Sequence, residues 1–344
     1  MEPTPDFSWP PVLDAVARGE DLSRSTARAA MEEIMAGRAT AAQVAALIVS
    51  LRIKGETVEE MTGLVEAMRR AAVTVDVGLP VIDTAGTGGD QLGTFNISTA
   101  AGLVTAGAGV TVAKHGNRSA SSRCGSADVL EGLGMVIDLA PEATVQLVRE
   151  TGFGYFHAPL YHPAMRHAGP VRSELGIPTV FNFLGPLANP AGARRQALGV
   201  ADSGMAERMV GALRLLGSEY AFVFYGEDGL DELTTTGTSF IYRLKDGEIT
   251  HAEFTPEDFR VPRAQLADLA GGDVEDNVRI IREVLSGRGG AARDVVLVNA
   301  APALVASGTA FGFEEAMGIG AEAIDSGAAA GLLERVVDRS HELA

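Results

Sequence analysis

Cysteine is all but missing from this chain: among its 344 residues only Cys124 carries a thiol. That excludes an intramolecular disulfide and a cysteine-built metal cluster. A lone cysteine reads as a small buried residue rather than a nucleophile. Positive charge is also in short supply. Lys and Arg number 28 against 45 Asp and Glu, a net charge of −17. So acidic a chain repels polyanions in bulk, which argues against general binding to nucleic acid or to a membrane surface. Long hydrophobic runs are lacking too. The longest charge-free stretch, residues 91–113, is interrupted by Gly, Thr, Ser and Asn and reads as a buried strand-helix segment, not a membrane span. Residues 1–11 are acidic and Pro-rich, with no basic or apolar leader region, so the expectation is a cytoplasmic protein. There is no internal repeat and no low-complexity segment. What remains is ample core-forming material: 46% of the residues are hydrophobic, enough for one large domain and a smaller one.

The pattern along the chain divides accordingly. Residues 12–72 read as about four helices. Ser23 is a plausible N-cap, Ala41, Val44, Leu47, Ile48 and Leu51 share one face, and Thr57-Val58-Glu59-Glu60 opens a helix that closes near Arg69-Arg70. From Leu79 the grammar changes to alternating strands and helices: strands at 80–84, 110–113, 135–137 and 153–157, and helices at 97–107, 126–133 and 141–150. Such alternation predicts a parallel sheet covered by helices. Residues 161–188 turn helical again. Strand-helix rhythm resumes at 196–200, 205–216 and 221–225, followed by a hairpin of 240–244 and 248–252 around Lys245-Asp246-Gly247. A buried strand at 295–298 and a helical C-terminus at 312–337 complete the reading. The fold class is α/β: a small all-helical domain plus a larger α/β domain with a mostly parallel central sheet flanked by helices.

Four constellations could carry chemistry. Asp83-Thr84-Ala85-Gly86-Thr87-Gly88-Gly89-Asp90 ends a strand in a glycine loop just before the helix opened by Asn96-Ile97-Ser98-Thr99. Turned-in amides and a helix N-terminus make a phosphate cradle, although a plain tight turn has the same glycines. The form is neither a dinucleotide fingerprint nor a Walker A loop. Lys114, His115, Arg118 and Arg123, with Ser119, Ser121 and Ser122, follow the strand at 110–113. A local basic cluster in an acidic chain suits a pyrophosphate at the carboxyl end of a sheet, against the alternative of a solvated loop. Gly229-Leu230-Asp231-Glu232 places adjacent carboxylates beyond the strand at 221–225, as Mg²⁺ would want; an exposed acidic loop is the competing reading. On a helix from Tyr161, His162 and Arg166 lie four apart and Arg172 follows. Arg172 could grip a carboxylate through two parallel bonds, or be an ordinary surface cation.

Together these segments resemble the anthranilate phosphoribosyltransferase family. Gly86-Thr87-Gly88-Gly89-Asp90 with Thr94-Phe95-Asn96-Ile97-Ser98-Thr99-Ala100 looks like its first signature. Lys114-His115-Gly116-Asn117-Arg118 with Gly125-Ser126-Ala127-Asp128-Val129-Leu130-Glu131 looks like its second. Tyr161-His162-Pro163-Ala164-Met165, Val171-Arg172, Phe181-Asn182, Leu184-Gly185-Pro186-Leu187 and Asn189-Pro190 look like its helical hinge, and Gly229-Leu230-Asp231-Glu232 like its metal loop. The likeness spans nearly the whole chain in order. It implies transfer of the phosphoribosyl group of 5-phosphoribosyl 1-diphosphate to the amino group of anthranilate, in tryptophan biosynthesis. Gly86, Gly89, Asp90, Thr94, Asn96, Ile97, Ser98, Thr99, Lys114, His115, Gly116, Asn117, Arg118, Ser119, Ala120, Ser121, Ser122 and Ser126 would hold the phosphoribosyl donor. Asn117 and Arg172 would contact anthranilate, with Gly86, His115 and His162 lining its channel. Ser98, Asp231 and Glu232 would bind two Mg²⁺ ions per subunit, and Lys114, Asp231 and Glu232 would carry the catalysis without a covalent nucleophile. The resemblance further implies a discontinuous helical domain (1–74 plus about 162–188), an α/β domain (about 79–160 plus 190–344), and a homodimer formed through the helical domain. Gln91 departs from a common Gly, Phe183 from a common Leu and Ala188 from a common Thr; only Gln91 bears on the loop. Two other readings share the architecture: a pyrimidine-nucleoside phosphorylase-like enzyme, in which Asp231 and Glu232 have no evident task, and a non-catalytic nucleic-acid-binding relative, which the net charge opposes.

Overall fold

The structure, a computed structural model, describes residues 7–119 and 123–344. Four helices come first: α1 (Trp9–Ala17), α2 (Arg24–Met35), α3 (Ala41–Lys54) and α4 (Val58–Ala71). The starts of α2, α3 and α4 follow from side chains that satisfy otherwise unpaired amides. Ser23 accepts from Thr26 N, and Thr40 and Thr57 each form a reciprocal capping box, with Gln43 and Glu60 respectively. The expected stripe on α3 is buried at Val44, Leu47, Ile48 and Leu51, while Ala41, at the first turn, is exposed.

The α/β part follows as β1 (Ile82–Gly86), α5 (Ile97–Gly107), β2 (Val112–Gly116), α6 (Ser126–Gly132), α7 (Pro141–Thr151), β3 (Phe153–His157), α8 (Ala158–Tyr161), α9 (Gly169–Leu175), α10 (Phe181–Leu184), β4 (Arg195–Gly199), α11 (Ser203–Leu215), β5 (Tyr220–Gly226), β6 (Ser239–Lys245), β7 (Glu248–Phe254), α12 (Val274–Leu285), α13 (Ala291–Ser307), α14 (Phe313–Asp325) and α15 (Ala328–Glu342). The strands form one seven-stranded sheet in the order β3-β2-β1-β4-β5-β6-β7. The first five run parallel, β6 runs antiparallel to β5, and β7 runs antiparallel to β6. One face, with Val112, Phe153, Ala197 and Phe222, packs on α5 and α13, and α15 packs on α5 in the same core. Leu198 and Val223 on the other face share a core with α2, α4 and α11. Strand order reverses between β1 and β4, the switch point where open α/β sheets bind ligands beyond the strands' carboxyl ends.

Three expectations fail. Residues 295–298 are not a strand but lie inside α13, where every residue from Val295 to Ala306 is buried. A helix buried all round has no polar face, so its short apolar run reads like a core strand. Residues 135–137 make no strand either. Met135 N bonds to Leu130 O and Val136 N to Ser340 Oγ on α15, so this segment joins a helix, not the sheet edge. The helix expected to carry both His162 and Arg166 is not there: the helical stretch 161–188 is divided by 3-10 turns at Pro163–His167 and Gly185–Leu187. Pro163 opens the first turn and Pro186 is the second residue of the other, so His162 and Arg166 do not share a helical face. No described helix is long and apolar enough to cross a membrane.

Candidate active site

The site assembles at the switch point. The loop after β5 crosses the end of β4 to meet the loop after β1. Gly88 N donates to Asp231 Oδ2 at 2.7 Å and Ser98 N, at the start of α5, donates to Glu232 Oε1 at 3.0 Å, partners 143 and 134 residues apart. The approach explains Gly86: a Cβ there would come within 2.5 Å of Asp231 Oδ2. Gly89 has φ of +86°, which turns the loop back toward α5 at no steric cost. The carboxylate loop is itself pinned. Thr234 and Thr236 hydroxyls bond Asp228 Oδ2, and Asn299 of α13 clamps Leu233 N and O at 2.8 Å each.

The strand expected at 110–113 is shifted: β2 runs to Gly116, so Lys114 and His115 are strand residues rather than loop residues. Both are buried, Lys114 at 1% exposure. Its ammonium donates to Thr84 O and lies 3.4 Å from Ser98 Oγ. A buried polar strand end escaped the sequence reading because polar residues signal a loop when nothing marks their partners. Beyond β2, Asn117 and Arg118 are exposed. Arg118 is not a free cation. It bonds Asp128 and Glu131 on α6 at 2.8 Å each, which raises its pKa further. Asp128 Oδ2 also takes the amides of Ser119 and Gly125, tying the loop to α6. Asn96 Nδ2 bonds Cys124 O and Thr99 Oγ1 bonds Ser126 Oγ, joining the two signature segments. Thr94 bridges Ala270 in a short antiparallel contact. Ala120, Ser121 and Ser122 lie outside the described residues.

Electrostatics divides the site into an acidic and a neutral side. Burial, reinforced by Asp90, pushes Asp231 up to about 6, and burial with the charge of Asp231 pushes Glu232 well up, opposed by Lys114. Burial likewise raises Asp90. On the neutral side, His115 and His162 sit with ring centroids 5.1 Å apart. Burial, then the neighbouring His162, holds His115 down to about 3, and burial lowers His162. Nε2 of each is buried without a hydrogen-bond partner. Arg172 stands over the Phe181 ring, 5.1 Å from its centroid, has no ion pair among the described residues, and its pKa is lowered by burial alone. The sequence reading left three supporting residues unassigned: Asp83, Asn189 and Asn299. An Asp within an apolar strand, at the second residue of β1, and an Asn inside the apolar run of α13 were the signals on offer.

Oxygen is the donor type throughout the acidic side. Among the described residues no three His, Cys, Asp or Glu side chains gather as a self-sufficient metal cage. Two carboxylates and a hydroxyl at Ser98 fit a hard cation that completes its shell with water and ligand phosphate, the habit of Mg²⁺.

Residues 10–72 match the helical bundle domain, and residues 78–330 the a/b domain, of the glycosyl transferase family. The anthranilate phosphoribosyltransferase of Moorella thermoacetica is 53% identical over 94% of this chain and 96% of its own length. That of Solibacter usitatus is 50% identical over 95% and 97%. The chain belongs to the anthranilate phosphoribosyltransferase family. Solved members of the family superpose accordingly. The Thermus thermophilus enzyme has a TM-score of 0.91 at 41% identity, covering 96% of this chain and 99% of its own. The Saccharomyces cerevisiae enzyme in complex with PRPP and Mg has a TM-score of 0.89 at 28% identity, covering 97% and 98%.

Proposed function

We propose that this chain joins the amino nitrogen of anthranilate to C1 of 5-phosphoribosyl 1-diphosphate and releases pyrophosphate, a pentosyl transfer in tryptophan biosynthesis. One observation carries the reading: two buried carboxylates from beyond β5 meet the amides of Gly88 and Ser98 beside the Lys114 ammonium. That is a place for a diphosphate bridged by a cation.

The aniline-type nitrogen is already neutral and needs no strong base. The work is stabilising the leaving group and holding both substrates in line. Gly86, Gly89, Asp90, Thr94, Asn96, Ile97 and Thr99 shape the donor cradle around the α5 N-terminus. Gly116, Ser119, Ala120, Ser121, Ser122 and Ser126 extend it along the second signature, and Arg118 fixes that loop to α6. Ser98, Asp231 and Glu232 hold Mg²⁺, two ions per subunit in this proposal, which when bound neutralises charge growing on the pyrophosphate. Lys114 adds the fixed positive charge. Arg172 and Asn117 take the anthranilate carboxylate, and neutral His115 and His162, with Gly86, line its path.

We take residues 1–74 and about 162–188 as one discontinuous helical domain, apart from about 79–160 plus 190–344. Arg69 donates to Leu187 O and Arg52 to Pro178 O, linking the two helical stretches. A homodimer through this domain and a cytoplasmic setting without nucleic acid complete the proposal. The test is loss of anthranilate fluorescence on adding the phosphoribosyl donor, with and without Mg²⁺. Turnover that needs both is expected; phosphate-dependent nucleoside cleavage without it would overturn the reading. In Arg172→Ala, anthranilate use should weaken by roughly 2–4 kcal/mol with the donor KM unchanged; an unchanged anthranilate KM removes Arg172 from the acceptor site.

A further inference from the structure

Between β1 and β2 the hydrogen-bond ladder is interrupted. These strands pair at Ile82 and Val112 alone, whereas β1 with β4 and β2 with β3 pair along their full lengths. Buried backbone that loses its ladder must find other partners, and here side chains supply them. Asp83 Oδ1 accepts His115 N at 3.1 Å. Asn189 Nδ2 donates to Ala113 O at 2.8 Å. Lys114 Nζ donates to Thr84 O. All three backbone groups face the β1–β2 seam, and each is taken by a side chain instead of the neighbouring strand.

Burial lowers the pKa of Lys114, and the nearby carboxylates of Asp83, Glu232 and Asp231 oppose that shift. Asn189 belongs to the segment that leads from the helical hinge into β4, and its Oδ1 accepts Ala191 N at 2.9 Å, so it stands fixed at that junction.

We propose that Asp83 and Asn189 are positioning residues that take the place of the ladder in the β1–β2 seam and keep the Lys114 side chain in it, aimed at the pyrophosphate of the donor. Neither touches substrate; both act through Lys114 and His115. The inference rests on the proposed function, and the two separate experimentally. Wild-type enzyme that shows no donor-dependent turnover sinks the function. An active wild type leaves the pair to be judged by its variants.

Asp83→Ala removes the acceptor for His115 N, whereas Asp83→Asn keeps the shape and an acceptor there. The expected result for Asp83→Ala is a fall in kcat/KM for the phosphoribosyl donor on the order of 10- to 100-fold, the range for groups that orient a ligand-binding side chain, with the anthranilate KM within about twofold and most of the donor loss recovered in Asp83→Asn. A merely structural Asp83 would lower the thermal midpoint of Asp83→Ala and leave donor kinetics alone, and that outcome overturns the proposal. Should Asp83→Ala fail to fold, Asn189→Ala decides: a folded variant with a donor-specific loss supports the pair, and one with wild-type donor kinetics overturns it.

Discussion

Gln91 holds φ at +58°, in the left-handed region, although it carries a side chain. That conformation costs an L-residue roughly 1–2 kcal/mol, of which glycine's extra freedom in the unfolded chain returns about half. Gln91→Gly should therefore stabilise the protein by up to about 1 kcal/mol, read as a higher urea midpoint with donor turnover retained; a lower midpoint would show that the Gln91 side chain contributes more than its backbone costs. The sequence pointed at this position only through a common Gly that it lacks. His115 illustrates what single residues conceal. Among basic neighbours it reads as a phosphate-site cation, yet burial keeps it neutral, near 3. Its folded pKa is below the unfolded value of about 6.5, so the unfolded chain binds the proton more readily. The stability this represents is complete above about 6.5 and is lost as pH falls toward 3. Urea midpoints measured from pH 7 to 4 should fall more steeply for the wild type than for His115→Asn. Equal slopes would mean that His115 is protonated in the folded protein.

Elements were legible where a local signal marks them and illegible where only tertiary packing does. Capping residues fixed the starts of α2 and α4, and the Asp246-Gly247 turn placed the β6-β7 hairpin. The glycine loop and the paired carboxylates stood out because their residue types are unusual in sequence. Helix α13 stayed hidden, since complete burial erases the 3.6-residue period that would have separated it from a strand. Its one polar interior residue, Asn299, is where fold and site meet. Asn299 bonds both Leu233 N and Leu233 O, one residue past Glu232. Removing it in Asn299→Ala leaves two buried backbone groups without partners, a destabilisation of about 1–3 kcal/mol for each. It also frees the carboxylate loop, so the Mg²⁺ needed for half-maximal turnover should rise on the order of 10-fold or more. A less stable variant with an unchanged Mg²⁺ requirement would confine Asn299 to the core and detach it from the site.

At the scale of the whole molecule, the acidic surface constrains how two copies could meet. A net charge of −17 opposes casual self-association, so a dimer needs an apolar patch that buries about 800 Å² on each partner. The helical domain offers a starting point. Ile53, in the last turn of α3, is 81% exposed, and Ile177, just past α9, is 44% exposed. The bond from Arg52 to the Pro178 carbonyl sets the two segments side by side. In a two-fold dimer the same patch serves both partners, so any substitution enters the interface twice. Ile53→Glu would bring two added carboxylates to a face between two already acidic chains. The expected result from light scattering after size-exclusion chromatography is twice the chain mass for the wild type and a shift toward the single-chain mass for Ile53→Glu. The thermal midpoint should then become less dependent on protein concentration, because dissociation no longer accompanies unfolding. A wild type that runs as a monomer at micromolar concentration would remove the dimer from the proposal. A variant that dimerises as tightly as the wild type would move the interface away from α3, since two uncompensated carboxylates cannot be desolvated there without loss of affinity.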